Sequence, residues 1–265
     1  MNSDTKRIFK RIVIALIYFL VIGGIGLLWY ALRQPPVASC FDNIQNQGEE
    51  GVDCGGSCKS CEEIKKLSLF EVKFFPTKKG FVDVFAELSN TNISYGVSQL
   101  AYTFELYDRD NTLVGAKSGV TYFQPNSTKF VIEQAIPVIK EAKTAKFQFA
   151  QPQFEEVKNY VKPRLNVLGV RSKPLGEGEA GFLAVQGNVI NQTNFNFDKV
   201  ELAIRLKNDA GETVAVNRHE VKTLTSNENR FFEARWPYRV PFFSKIEVEV
   251  DTNIFEESNY LKFLK

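Results

Sequence analysis

Histidine is almost absent from this chain: 265 residues hold a single one, His219. That excludes a metal centre built on clustered histidines and leaves any Ser-His-Asp triad dependent on one side chain. Phosphate-cradling glycine loops, the dinucleotide fingerprint, G-x-S-x-G and H-E-x-x-H are missing as well. No cysteine follows Cys61, so the long C-terminal part has no disulfide of its own. A strong charge of one sign is also lacking. Residues 1–33 carry five basic and one acidic side chain, which leaves the rest at −2 within a total of +2. Nucleic acid is therefore not an expected partner.

What is present begins with a long apolar run. Ile12 to Leu32 are twenty-one consecutive uncharged residues, enough at about 1.5 Å each to cross a hydrocarbon core of about 30 Å as one helix. Lys6, Arg7, Lys10 and Arg11 precede the run and Arg33 alone follows closely. The positive-inside bias keeps residues 1–11 in the cytoplasm, makes 12–32 a transmembrane signal-anchor and sends the remainder outside. Trp29 and Tyr30 fall where rings favour the interface. A cleaved signal peptide is the alternative, against which the run exceeds an h-region of roughly 7–15 residues. Val37-Ala38-Ser39-Cys40 resembles the lipobox of bacterial lipoproteins. Arg33-Gln34-Pro35-Pro36 separates it from the apolar run, so lipidation is not expected.

Residues 33–66 form a linker and a small cysteine-rich collar. Cys40, Cys54, Cys58 and Cys61 lie in a polar, glycine-rich stretch with too little apolar surface to fold without a staple. Two disulfides suit the oxidising side of a membrane, and three connectivities are open. A four-thiolate zinc site is the rival, although only Cys58–Cys61 has the two-residue spacing of a zinc knuckle. Asp42, Asn46, Glu49 and Asp53 recur at gaps of four, three and four. They are candidate ligands for a hard cation such as Ca²⁺, or else loop residues that cap turns. Together these positions resemble a motif of bacterial surface proteins, C-x-D-G-x-x-N-x-x-E-x-x-x-D-C-G-G-x-C-x-x-C, with Asn43 in place of its first glycine. The resemblance implies an extracytoplasmic module and no established activity.

From Leu67 the chain repeats with a period near one hundred. Leu100, Tyr102, Phe104 and Leu106 alternate with polar residues, as do Val200, Leu202, Ile204 and Leu206. Period two over this length is a half-buried strand. Hairpin signals follow at Asp108-Arg109-Asp110-Asn111 and Asn208-Asp209-Ala210-Gly211. Next come strands at 113–123 and 213–224, then turns at Pro125-Asn126-Ser127 and Ser226-Asn227-Glu228. Each copy closes with a strand, 145–149 or 245–250, and a related tail, FEEVKNY or FEESNY. Strand pairs at 69–75 with 82–88, and at 165–170 with 182–190, precede these. Six or seven short strands per copy predict a mainly β fold: two tandem immunoglobulin-like β-sandwiches, 67–160 and 161–265. The 23 phenylalanines are scattered through these strands and read as core.

Phe104-Glu105-Leu106-Tyr107-Asp108 spells out the motif of the FxLYD family, small immunoglobulin-like domains of secreted and membrane-anchored microbial proteins, and the first copy resembles it. In the second copy Ile204-Arg205-Leu206-Lys207-Asn208 keeps the two inward apolar positions and loses the Tyr-Asp pair. The resemblance implies a fold and a location, with no shared catalytic site. Asp108 reads as a turn initiator and Tyr107 as a half-exposed strand residue.

Few residues suggest chemistry. Glu155-Glu156 and Glu256-Glu257 are neighbours rather than carboxylates facing across a cleft, and read as a solvated edge or a helix cap. Trp236 and Tyr238, flanking Pro237, are candidate partner contacts, with local core as the alternative. Sequons begin at Asn92, Asn126 and Asn191. The whole reads as a non-enzymatic interaction or scaffold protein of the cell envelope. It is anchored by one span, with no small-molecule substrate expected and an envelope protein or glycan as partner. The alternatives are an ion or ligand sensor with a Ca²⁺ site in the collar, or a hydrolase with polar groups gathered around His219.

Overall fold

The computed structural model describes residues 3–32, 39–46, 48–58, 61 and 63–261. Val37 and Ala38 of the lipobox-like stretch, with Arg33 to Pro36, lie outside them. The chain divides into two compact units, 1–62 and 63–265.

The first unit opens with helix α1 (Ser3–Leu32), in which Phe9–Tyr30 is long and apolar enough to cross a membrane. Its apolar side chains are exposed, Phe19 at 79% and Leu20 at 72%. The helix begins earlier than the apolar run because Asp4 to Arg11 contain no proline or glycine to stop it.

The second unit is mainly β and entirely antiparallel. Its first half contains β1 (Ser68–Pro76), β2 (Phe81–Asn90), β3 (Tyr95–Tyr107), β4 (Leu113–Phe123), β5 (Ser127–Pro137), β6 (Thr144–Phe149) and the two-residue β7 (Glu155–Glu156). Its second half contains β8 (Leu165–Pro174), β9 (Leu183–Asn191), β10 (Phe197–Lys207), β11 (Thr213–Leu224), β12 (Asn229–Trp236), β13 (Lys245–Asp251) and a 3-10 turn at Glu257–Asn259. One sheet runs β1-β2-β5 and a second β4-β3-β6, with β7 added to β3. The same orders return as β8-β9-β12 and β11-β10-β13. Register repeats too. Thr103 faces Ser118 as Ala203 faces Arg218, and Leu106 faces Gly115 as Leu206 faces Ala215.

Each half encloses its own core. Val84, Leu88, Phe104, Leu106 and Phe123 are buried in the first; Val185, Ile204, Leu206, Phe232 and Trp236 in the second. Replacing Phe104 by alanine should cost roughly 3–5 kcal/mol in urea unfolding, since its ring is fully buried. A near-zero change would put that ring outside the core.

Each half is also held by one buried asparagine at the end of its second strand. Asn90 donates to the carbonyls of Tyr95 (2.7 Å) and Gln124 (2.9 Å), and Asn191 to those of Phe195 (2.7 Å) and Thr225 (3.0 Å). These amides satisfy loop carbonyls that would otherwise be buried unpaired. Two of the three sequon asparagines, Asn92 and Asn191, are therefore enclosed, while Asn126 is exposed.

The two tails differ. Glu155 and Glu156 pair with Gly96 and Tyr95 as exposed strand. The matching Glu257 opens the 3-10 turn, drawn inward by buried Asn259, which donates to Thr252 Oγ1 and accepts from the Lys199 amide, both at 2.8 Å. β5 and β12 go beyond the strands read from the sequence; β12 alternates regularly, with Phe232, Ala234 and Trp236 inward, whereas β5 breaks its own pattern. Lys129 and Glu133 point inward, and Ala135 adopts a positive φ of 53° beside a register shift.

Candidate functional site

The outer faces of two sheets meet. On β2, Val82, Val84 and Leu88 face the first core, while Asp83 and Phe85 point the other way and are buried as well. A strand buried on both faces needs a layer on each side. Here the second layer is the β11-β10-β13 sheet. Phe75, Phe85 and Ile132 pack with Val216, flanked by Phe130 and Ala203. The halves thus share a third, smaller core between them.

Charged groups ring that core. Arg205 reaches Glu87 with Nη1 (2.7 Å) and Glu247 with Nε (2.6 Å), and its guanidinium lies 4.2 Å from the Phe130 ring centre. Burial alone would raise the Glu247 carboxyl, yet Lys245, Arg205 and Lys207 hold it at about 2. The Tyr238 hydroxyl donates to Asp83. Gln124 Nε2 donates to Asp251 (2.5 Å) and to the Thr252 carbonyl (2.8 Å), while its Oε1 accepts from Tyr160 (2.6 Å). The buried Lys129 ammonium pairs with Asp251 at 2.8 Å and Glu201 at 3.5 Å and sits 3.7 Å from the Tyr122 ring centre. Burial works against its charge, but Asp251 and Glu201 outweigh burial and keep it protonated.

Beside this network a cleft of about 310 Å³ opens, walled by Lys129, Lys199, Arg218, His219, Glu249 and Asp251 among others. Burial, together with repulsion from Asp251, pushes the Glu249 carboxyl up to about 8, despite Lys129, Lys162 and the Phe130 amide. Burial lowers His219, against the weaker pull of Glu220, so its imidazole is neutral at pH 7. The ring lies 6.1 Å from that of Phe232. Among the described residues no hydroxyl or carboxylate bonds to either ring nitrogen. The nearby Tyr102 hydroxyl donates instead to Glu133 (2.8 Å). The cleft thus gathers polar groups without pairing a nucleophile to a base.

In the collar, Cys40 bonds to Cys58 and Cys54 to Cys61. All four sulfurs are spent in disulfides, which rules out the four-thiolate zinc site and a lipidated Cys40. The close grouping of Cys40, Cys58 and Glu49 is likewise no metal site, because neither sulfur is a thiolate. The acidic residues cap backbone. Asp53 accepts the amides of Asp42 (2.9 Å) and Asn43 (3.0 Å), Asp42 that of Ile44 (2.9 Å), and Glu49 those of Asn46 (3.1 Å) and Asp53 (3.2 Å). Amides from Ser39 and Ile44, with the Asn46 side chain, hold the Asp42 carboxyl below its usual range. These carboxylates cap turns, and beside them Asn46 Oδ1 is buried without a hydrogen-bond donor. Intact mass of the unreduced chain should fall short of the reduced form by four hydrogens. Equal masses would contradict the two disulfides.

Trp236 needs correction as a partner contact. It ends β12 fully buried, with Nε1 donating to the Val216 carbonyl at 3.0 Å. Pro237 stops the strand just after it rather than presenting it on a loop. Tyr238 is half-buried and engaged with Asp83. Asp108 accepts the amides of Asp110 (3.0 Å) and Thr112 (2.9 Å), which closes its hairpin turn. Lys129, Glu133 and Asp83 were not legible as buried groups. For Lys129 and Glu133 the available signal was a charged residue at an inward register position of an apolar strand, whereas Asp83 lies on the face of β2 turned away from the first core.

No protein-family model matches this chain, and no curated protein matches it.

Proposed function

We propose that this is a single-pass, membrane-anchored interaction or scaffold protein of the cell envelope that binds rather than catalyses. Its N-terminus lies in the cytoplasm and its two immunoglobulin-like, FxLYD-like sandwiches lie outside. The observation that carries this reading is the face-to-face contact of two halves with the same strand order, held by a third core and by buried ion pairs. Such a contact fixes two β surfaces relative to each other, as a rigid docking body requires. The apolar helix and the disulfide-stapled collar support an anchored, extracytoplasmic setting.

Protease added outside intact cells or spheroplasts should digest residues 34–265 and spare the N-terminus. A protected C-terminal part, or a soluble mature form released from the membrane, would overturn the orientation or the anchor.

The cleft beside His219 favours a second reading, a hydrolase. Its imidazole is neutral, as a general base must be, but it is neither oriented by a carboxylate nor bonded to a hydroxyl. Turnover of an ester, peptide or glycan by the purified chain, abolished in His219→Ala, would establish it.

A further inference from the structure

The loop between β5 and β6 and its counterpart between β12 and β13 begin and end alike. Val82 pairs with Ile136 as Leu183 pairs with Trp236. Lys143 donates its amide to the Tyr107 carbonyl (2.7 Å) as Ser244 does to that of Lys207 (2.8 Å). Between these fixed points Val138 answers to Tyr238, and Ala142 to Phe243. In the second half Tyr238, Val240 and Phe243 pack against the core from this loop. In the first half Val138 and Ala142 do so, while Ile139 is turned out and 82% exposed. An alanine methyl thus stands where the second half has the Phe243 ring.

At this place the first half has a hollow of about 490 Å³, walled on its apolar side by Phe74, Phe81, Val138 and Ala142. Its rim is basic. Lys78 lies 4.8 Å from the Phe81 ring centre, and among the described residues neither it nor its exposed neighbour Lys79 pairs with a carboxylate. Lys140 stands 3.7 Å from Asp108, and the one carboxylate in the wall, Glu141, is taken by Lys143. The adjoining Asp108, Arg109, Asp110 and Lys143 cancel one another, so the rim keeps an excess of two positive charges. The matching turn of the second half, 175–181, carries Glu177 and Glu179 instead. The hollow also lies at the far end of β1 from Lys65, whose amide is held by Asn92 (2.7 Å) where the chain enters the β unit. The nine residues of β1, at about 3.3 Å each, put about 30 Å between the two. That placement favours a polypeptide over the chain's own bilayer as the occupant.

We propose that this hollow docks an acidic segment of a partner polypeptide. One aromatic side chain of the segment enters beside Phe81, Val138 and Ala142, in the place that Phe243 takes in the second half, and flanking carboxylates meet Lys78, Lys79 and Lys140. The inference rests on the interaction-scaffold reading and gives it a surface and a partner chemistry. The ring supplies apolar burial, and the carboxylates supply the choice of partner, since the rim repels a basic segment.

The test uses the full-length chain in detergent and a fluorescein-labelled pentapeptide, one phenylalanine between two pairs of acidic residues, read by anisotropy. Saturable binding is expected. It should weaken at least tenfold when the phenylalanine becomes alanine, and at least tenfold when the acidic residues become lysine. Ala142→Phe, which fills the hollow as the second half does, and the double variant Lys78→Glu with Lys79→Glu should each bind at least tenfold more weakly. The peptide arms leave the protein untouched, so they decide the matter even if Ala142→Phe misfolds. Absence of binding, or equal binding of the alanine peptide, would overturn the inference. Capture of the chain in phosphatidylcholine nanodiscs by phosphatidylglycerol vesicles, lost in the double variant, would overturn it by making lipid the occupant. A chain that dimerises without peptide, and stays monomeric as the double variant, would overturn it in favour of a second copy. If surface crosslinking in intact cells still captures a protein with the double variant, the scaffold reading stands and this hollow is not its site.

Discussion

Replacing Trp236 by alanine should lower the unfolding free energy of the full chain by about 5 kcal/mol. Loss of a fully buried indole costs roughly 3–5 kcal/mol through transfer and cavity terms. The Val216 carbonyl then loses its donor inside the protein, which adds about 1 kcal/mol or more. Equilibrium unfolding in urea, followed by circular dichroism, measures the change. A shift below about 1 kcal/mol would mean that the indole is not enclosed as described. The effect separates Trp236 from a contact residue, whose removal would weaken partner capture and leave folding intact. Tyr238→Phe is the milder probe of the same region, since it removes only the hydroxyl that meets Asp83.

The second large effect is alkaline. Glu249 titrates near 8 in the folded chain against an ordinary value of 4.5. A raised carboxyl holds a proton that the unfolded chain releases. The stability it contributes is complete below about pH 4.5 and is lost as pH climbs toward 8. Because the side chain is only partly enclosed, the loss is put on the order of 2–4 kcal/mol rather than the full value of the shift. Urea unfolding at pH 6 and pH 9 should therefore show a marked fall for the natural chain and a much smaller one for Glu249→Gln. At pH 9 the variant should be the more stable of the two. Equal falls for both would place the titration elsewhere in the network.

The Glu249 effect belongs to the contact between the halves, and that contact is where the sequence was least legible. Within each half the alternation of Phe104 and Leu106, or Ile204 and Leu206, marks the inward face directly, and all four are fully buried. The hundred-residue offset carries over into the ladder, residue against residue. Alternation reports whether a face is buried and is silent about what covers it. Phe85 lies on the face opposite the first core, and Arg205 is a charged outward residue of an ordinary half-buried strand until Glu87 is seen beside it. Contacts between residues 118 positions apart leave no periodic trace. Trp236 misled for a local reason, because an adjacent proline suggests a loop whether it interrupts a strand or follows its last residue.

The collar was legible in part. Its cysteine spacing and polarity point to a stapled loop, whereas the pairing of Cys40 with Cys58 depends on how the chain turns between them. The carboxylates there look alike as cation ligands and as caps. What distinguishes the roles is the direction of backbone amides, which point at Asp42, Glu49 and Asp53.

The central claim, an anchored chain that binds a partner outside the membrane, is tested most directly by crosslinking on intact cells with an amine-reactive reagent that does not cross membranes. Lysines such as Lys117 and Lys140 are exposed and within its reach if the β unit is outside. The account predicts discrete adducts of the full-length chain with a specific envelope protein, formed without permeabilising the cells. Adducts that form only after permeabilisation would contradict the location, and a chain that is labelled from outside but captures no partner would contradict the binding role.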